Sequence, residues 1–135
     1  MAGASRNKGK TGEREAAAVL AQVTGYDVRR RVRQHEGDSD LEGVTGWSIE
    51  VKRHACAPAA KLADWWAQAV TQAERTDCLP LLMYRADRGG WRCVWPADLH
   101  TDRLSAPDGM AHTLSATPAT WWAMCERISK GTSKA

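Results

Sequence analysis

Hydrophobic positions recur with the period of a helix most clearly between residues 59 and 75. The apolar residues of this segment are spaced three and four positions apart, which places them on one face of a helix. They are Leu62, Trp65, Trp66, Ala69, Val70 and Ala73. The pattern therefore predicts an amphipathic helix over 59–75 with one buried face.

A helix is also predicted near the start of the chain, over residues 11–23. Thr11 is a suitable N-cap residue, and Gly25 is suited to end the helix. The apolar stripe of this helix consists of Ala16, Ala17, Leu20 and Val23. Glu13 continues the stripe one turn earlier, so we expect its side chain to face the body of the domain.

Strands are predicted where short alternating or apolar runs are bounded by turn residues. They cover about residues 26–33, 38–44, 47–53, 79–85 and 91–95, with a further short strand at 110–114. Thr117 is then expected to cap a last helix that has Pro118 in its first turn. The residues of this helix that should face inward are Trp121, Trp122, Cys125 and Ile128.

The order of these elements predicts one α/β domain spanning residues 1–135. The helix between the third and fourth strands permits a crossover connection, so we expect a central mixed β-sheet flanked by helices on both faces. Residues 1–10 are small, polar and cationic, which is typical of a flexible basic arm. Residues 96–135 are expected to form a small C-terminal helical appendage.

Composition excludes some classes of protein. No run of 18 apolar residues occurs, so no membrane span is expected, and the polar, basic N-terminus argues against a secretory signal. The four cysteines lie far apart, which favours reduced thiols in a cytoplasmic protein over a disulfide framework. His54 and Cys56 form only a single pair, which is not a zinc site. The paired tryptophans at 65–66 and 121–122 occupy core-type positions, so burial is favoured over base stacking, although one of each pair could face a partner subunit.

The charge of the chain is unevenly distributed. The formal net charge is +3, but residues 1–35 carry +5 and the remaining residues carry −2. A basic segment followed by an acidic one suits a polyanion held next to a metal site. A merely solubilising basic arm would produce the same distribution.

The residues with the clearest chemical potential lie in the predicted third strand. Side chains alternate between the two faces of a strand, so Glu50 and Lys52 project from the same face, with Ser48 beside them. Surface strands also carry such Glu-x-Lys pairs, so this feature needs a second carboxylate to indicate a site. Asp40 in the preceding strand supplies that carboxylate.

The position of Asp40 depends on the turn between the second and third strands. A two-residue turn at residues 45–46 would place Asp40 on the wrong face, whereas a three-residue turn at 44–46 places it opposite Glu50. Gly46 supplies the left-handed residue that the longer turn requires. If the register slips, Asp38 is the replacement, and Glu42 is a further acid that alternates with Asp40.

The spacing of Glu13, Ser39-Asp40 and Glu50-Val51-Lys52 resembles that of the PD-(D/E)XK nuclease superfamily. Within it, the pattern is most similar to archaeal-type Holliday junction resolvases and related small phage-encoded nucleases. The basic, glycine-bearing segment at residues 8–15 resembles the opening of that family, and the likeness covers residues 6 to about 95. Ser39 stands where the family has a proline.

The resemblance implies a restriction-endonuclease-like core and a metal-dependent phosphodiester hydrolase. Asp40, Glu50 and the Val51 carbonyl would bind the metal, with Glu13 completing the acidic cluster directly or through water. Lys52 would orient the attacking water and offset negative charge on the phosphate. Gln68 or Gln72 would have a supporting polar role. Oxygen ligands without His or Cys suit Mg²⁺ or Mn²⁺.

The expected partner is DNA, a branched or four-way junction in particular, cut by a homodimer in the cytoplasm of a bacterial or phage-infected cell. Backbone phosphates would be contacted by basic residues before and beside the acidic cluster. These are Arg6, Lys8, Lys10, Arg29, Arg31, Arg33 and Arg53. The alternatives are a restriction-like, repair or end-processing nuclease, a non-catalytic DNA-binding module, and an unrelated α/β interaction protein.

Overall fold

A computed structural model describes residues 2–32, 39–106 and 108–128, with side chains from residue 9 onward. These residues form three helices and six strands, with a short 3-10 helix at Ala97–Leu99. In chain order they are α1 (Ala2–Thr24), β1 (Arg29–Arg30), β2 (Leu41–Glu42), β3 (Trp47–His54), α2 (Ala59–Arg75), β4 (Leu79–Ala86), β5 (Arg92–Pro96), β6 (Thr113–Ala116) and α3 (Pro118–Cys125).

The strands form one mixed sheet in the order β1-β2-β3-β4-β5-β6. The central pair, β3 and β4, is parallel over its whole length, from Trp47 opposite Leu79 to His54 opposite Ala86. The other neighbours are antiparallel. The helix α2 makes the crossover that a parallel pair requires. The predicted α/β class and the predicted mixed sheet are therefore confirmed.

Each face of the sheet is covered by helices, as predicted. On one face α1 and α3 pack through Leu20 and Trp121 against Ile49 of β3. On the other face α2 packs through Trp66 against Leu82 of β4. Side chains that alternate along β3 and β4 therefore contribute to two apolar layers, one on each face of the sheet. A polar side chain buried in either layer requires a structural or functional explanation.

The prediction that the first helix begins near Thr11 was wrong. The structure continues α1 back to Ala2, so residues 2–10 are helical rather than a flexible arm. This part of the sequence contains no proline, and its Ala, Lys and Arg residues are good helix formers. Nothing local therefore stops the helix at Thr11.

The first two strands are shorter than predicted. Val28 is held in a tight turn by a hydrogen bond from its amide to the Tyr26 carbonyl (3.0 Å), so pairing starts only at Arg29. Gly43 has a φ of +119°, and a Cβ there would lie 2.4 Å from the Asp27 carbonyl oxygen. The chain therefore leaves the strand direction directly after β2.

The described part of the C-terminal region ends in the helix α3, as expected, and it also contributes an edge strand to the sheet. Thr113–Ala116 pairs with β5 as an edge strand. Thr117 caps α3, accepting a hydrogen bond from the Thr120 amide at 3.2 Å. Trp121 and Cys125 are residues of this helix and are fully buried. Burial raises the pKa of the Cys125 thiol to about 12.

Three of the four paired tryptophans are buried, as predicted: Trp65, Trp66 and Trp121. Trp122 is half-buried and lies edge-on to Tyr26, with the ring centroids 5.5 Å apart. Among the helices in the described ranges, none has the length and apolar content needed to cross a lipid bilayer.

Candidate active site

The face of β3 that packs against α2 carries a row of polar side chains. They are Ser48, Glu50, Lys52 and His54. Ser48 and Glu50 are each 2% exposed, Lys52 is half-buried and His54 is exposed. The row therefore opens to solvent at the C-terminal end of β3, and Glu50 and Lys52 lie on one face as predicted.

The hairpin of β2 and β3 has the register that a three-residue turn predicts. Leu41 lies opposite Ile49, and Gly46, the last residue of the turn, has a φ of +86°. Glycine adopts this left-handed conformation without steric cost. The Trp47 amide also donates to the Val44 carbonyl at 3.2 Å, which closes a turn centred on residues 45–46, but the pairing of Leu41 with Ile49 is not the register that would have placed Asp40 on the wrong face.

Asp40 departs from regular pairing just before β2. Its amide donates to the Ile49 carbonyl at 2.9 Å, a bond that a regular continuation of the register would not contain. Irregularities of this kind re-aim a side chain, as β-bulges do beside functional sites. Asp40 Oδ2 accepts a hydrogen bond from the Val51 amide at 2.8 Å, and its carboxyl group lies near enough to Glu50 to raise the pKa of that residue. Two carboxyl groups from different strands therefore meet.

Glu50 is a strongly perturbed group of the site. Burial, followed by the hydrogen bond and the negative charge of Asp40, raises the pKa of Glu50 to about 9. The positive charge of Lys52 opposes this rise, and the negative charge of Glu13 adds to it. Glu50 Oε2 is buried and has no hydrogen-bond partner within the described residues. An ionised Glu50 is consequently unstable here unless a cation compensates its charge.

Glu13 reaches the same region from α1. Its Oε2 accepts a hydrogen bond from Arg30 Nε at 2.9 Å, and both side chains are largely buried. Sequence reasoning missed Arg30 because it counted only the arginines on the other face of β1. The signal was available: an inward-facing glutamate requires a cationic partner, and Arg30 is the inward-facing arginine of that run.

The acids named as alternatives do not join this cluster in the described part of the chain. Glu42 is exposed, and its carboxylate lies 3.7 Å from Arg31 at the surface. Asp38 lies outside the described residues. Within the described ranges, no group of three or more His, Cys, Asp or Glu side chains could by itself hold a metal ion.

Of the two glutamines named on α2, the structure favours Gln72. Gln68 is exposed, whereas Gln72 is half-buried, and its Oε1 atom is buried without a hydrogen-bond partner in the described residues. The buried hydroxyl of Ser48 lacks a partner in the same way. Buried polar atoms without a partner in the described residues therefore occur both on β3 and on α2, the helix that packs on this face of the sheet.

The basic residues expected to bind DNA fall into different surroundings. Arg29 is exposed and pairs with the exposed Asp27 (2.7 Å). Arg31 Nε donates to the Ser39 carbonyl at 3.1 Å, so Arg31 follows β2 toward the site. Arg53 lies on the opposite face of β3 from Glu50, paired with Asp87.

The remaining basic residues of that set lie on or beyond α1. Lys10 is exposed on α1. The side chains of Arg6 and Lys8, and all of Arg33, lie outside the described residues. The structure therefore brings Arg31 close to the acidic cluster and leaves Lys10 at the surface of the same helix as Glu13.

Comparison with known proteins gives one family. A family profile described as "Phage putative PDDEXK endonuclease" matches residues 4–117. No curated protein matches the chain. Among solved structures, that of Hjc from Archaeoglobus fulgidus, a Holliday junction resolvase from an archaeal hyperthermophile, is 20% identical with a TM-score of 0.48. The match covers 82% of this chain and 84% of that chain.

Proposed function

Because the chain belongs to the phage PDDEXK endonuclease family, we propose that it is a magnesium-dependent DNA endonuclease that hydrolyses phosphodiester bonds at this cluster. The observation that carries the proposal is the contact between Asp40 and Glu50. Asp40 is hydrogen-bonded to the Val51 amide next to Glu50, and its carboxyl group, together with burial, raises the pKa of Glu50 to about 9. Two buried acidic side chains with no bound cation would only destabilise the folded protein, whereas a cation between them would stabilise both carboxylates.

The available donors fit a hard divalent cation. Asp40 and Glu50 supply carboxylate oxygens, and the Val51 carbonyl is the proposed third protein ligand. Mg²⁺ commonly uses one or two carboxylates and keeps several waters, so a cluster of three acidic side chains is not required. Glu13 is engaged by Arg30 and takes an outer position, acting through water. When bound, Mg²⁺ supplies a Lewis acid and lowers the pKa of a coordinated water.

Lys52 follows Glu50 on the same face of β3 and is half-buried. An ammonium group there offsets the negative charge that develops on the phosphate, and it orients the attacking water. The partial burial of Lys52 strengthens this interaction because the surroundings screen charge less than bulk water does. Lys52 also favours the ionised form of Glu50, which metal binding requires.

Arg30 fixes the position of Glu13 by a hydrogen bond from its guanidinium group. Arg31, Arg29 and Lys10 are the described cations that we assign to DNA phosphates. Contacts of this kind give affinity that falls steeply with salt and carry little base specificity.

A four-way junction cut by a homodimer is the finer form of the proposal. A junction is two-fold symmetric and needs paired incisions, so it requires two copies of this site at a fixed separation. Cleavage of linear duplex or of DNA ends requires only one copy. Substrate preference and the oligomeric state together therefore separate the two forms.

The test is cleavage of a synthetic four-way junction, a duplex and a single strand, with Mg²⁺ or with a chelator. We expect Mg²⁺-dependent nicks that are lost in Glu50→Ala and in Lys52→Ala while DNA binding survives. Glu74→Ala and Lys61→Ala, which change exposed residues on α2, are the matched controls and should cut normally.

Metal-independent cutting, or full activity in Glu50→Ala, would overturn the mechanism. Symmetric nicks confined to the junction, with a dimer in solution, would support the finer form of the proposal. Equal cutting of linear duplex would contradict junction selectivity and leave the endonuclease assignment intact.

A further inference from the structure

His54 ends the polar row on β3, and both its backbone and its ring are held in place. Alternation puts it on the same face as Glu50. Its ring lies against Trp65 of α2, with centroids 4.7 Å apart and planes tilted by 30°. Its carbonyl oxygen accepts hydrogen bonds from the Asp87 amide (3.1 Å) and from Arg53 Nη1 (3.2 Å). The exposed imidazole is therefore preorganised next to the candidate active site.

Exposure rises along the row from Glu50, which is 2% exposed, through half-buried Lys52 to exposed His54. The row is therefore open to solvent at the end that carries His54, and a ligand could approach the buried carboxyl groups from there. Two residues along a strand cover about 6.6 Å. Neighbouring phosphates of a nucleic-acid strand are separated by a similar distance. If one phosphate is bound at Lys52, the next phosphate of the same strand can therefore lie near His54.

We infer that His54 binds the backbone phosphate next to the one being hydrolysed, donating a hydrogen bond from its imidazole N–H. The inference rests on the proposed function, because it assigns a second phosphate position to the same site. Even the neutral imidazole carries one N–H donor, so the contact does not require a charged ring. Contacts to phosphate set the register of the strand and carry no direct base information.

A simpler role for His54 would be to cover Trp65. Two substitutions separate the roles: His54→Phe keeps an aromatic ring for the stack but has no donor, and His54→Gln keeps a donor without the ring. The matched control is His112→Asn. His112 is exposed just before β6, at the sheet edge opposite β1, and its φ of +59° is tolerated by asparagine.

The experiment measures binding of DNA substrates in which one phosphate at a time is replaced by an uncharged methylphosphonate. Binding is measured with a chelator present, and cleavage is measured separately with Mg²⁺. For the wild-type protein we expect about a tenfold loss of affinity when the phosphate adjacent to the cleaved one is replaced. His54→Phe should bind the unmodified DNA about tenfold more weakly than the wild type. Replacing the phosphate adjacent to the cleaved one should then cause no further loss of affinity in this variant, and His54→Gln should recover part of the affinity for unmodified DNA.

An unchanged position profile in His54→Phe would overturn the inference, and so would full affinity of that variant for unmodified DNA. Thermal melts of both variants show whether the fold is retained, and recovery by His54→Gln cannot arise from a damaged fold. His112→Asn should match the wild type throughout. If the wild-type protein fails to cut any DNA with Mg²⁺, the proposed function fails first, and the binding profile still reports on His54.

Discussion

Glu50→Gln should change the way in which the stability of the metal-free protein depends on pH. The pKa of Glu50 is about 9 in the folded protein, against 4.5 for the ordinary side chain. Because the folded state holds this proton more tightly than the unfolded state, Glu50 favours folding at low pH. That contribution is complete below pH 4.5 and is lost as the pH rises toward 9.

The magnitude follows from the linkage of protonation to folding. One proton bound only in the folded state lowers the free energy of unfolding by about 1.4 kcal/mol for each pH unit within that window. Glutamine imitates the protonated carboxyl group and does not titrate. The difference in stability between Glu50→Gln and the wild type should therefore be small at pH 5 and reach several kcal/mol in favour of the variant at pH 8.

Urea denaturation between pH 5 and pH 8.5, with a chelator present, measures this difference. Contributions from titrating groups that do not interact with Glu50 cancel because both proteins share them, and Glu74→Gln, an exposed change on α2, controls for loss of one acid. Adding Mg²⁺ at pH 8 should stabilise the wild type and leave Glu50→Gln almost unchanged. Parallel stability curves for the two proteins across the pH range would refute the assignment of a proton to Glu50.

Two further substitutions test how α1 is attached to the sheet. Gly12→Ala should destabilise the protein by about 1–3 kcal/mol in urea, because the new Cβ would lie 2.7 Å from a side chain of β3. Gly9→Ala, with nothing within 4 Å, should instead be neutral or slightly stabilising, and equal effects would contradict this packing. Arg30→Ala should cost about 2 kcal/mol and slow cleavage because Glu13 loses its cationic partner, whereas Arg103→Ala, a change at an exposed arginine away from the site, should do neither.

The sequence predicted the central elements well because their signals are local. The apolar stripe of α2 gave its bounds at Ala59–Arg75, and the alternation along β3 placed Glu50 and Lys52 on one face. The register of the β2–β3 hairpin also followed from one local requirement, a left-handed glycine at position 46.

What the sequence could not give depends on contacts between distant segments. The pairing of Arg30 with Glu13 joins residues 17 positions apart, and no periodic pattern encodes it. The irregular pairing of Asp40 likewise depends on Ile49 in the neighbouring strand. The extension of α1 to Ala2 was missed for a different reason: composition alone suggested an arm, although no residue there prevents a helix.

The charges of the site explain why a proton and a cation compete for it. When ionised, Asp40, Glu50 and Glu13 carry three negative charges, which Lys52 and Arg30 oppose with two. Glu50 is 2% exposed, and its Oε2 atom has no hydrogen-bond partner among the described residues, so the metal-free protein keeps a proton there. In the proposed mechanism a divalent cation would replace that proton and stabilise both neighbouring carboxylates at once. The pH dependence of stability and the expected Mg²⁺ dependence of cleavage would therefore be two measurements of the same carboxyl group.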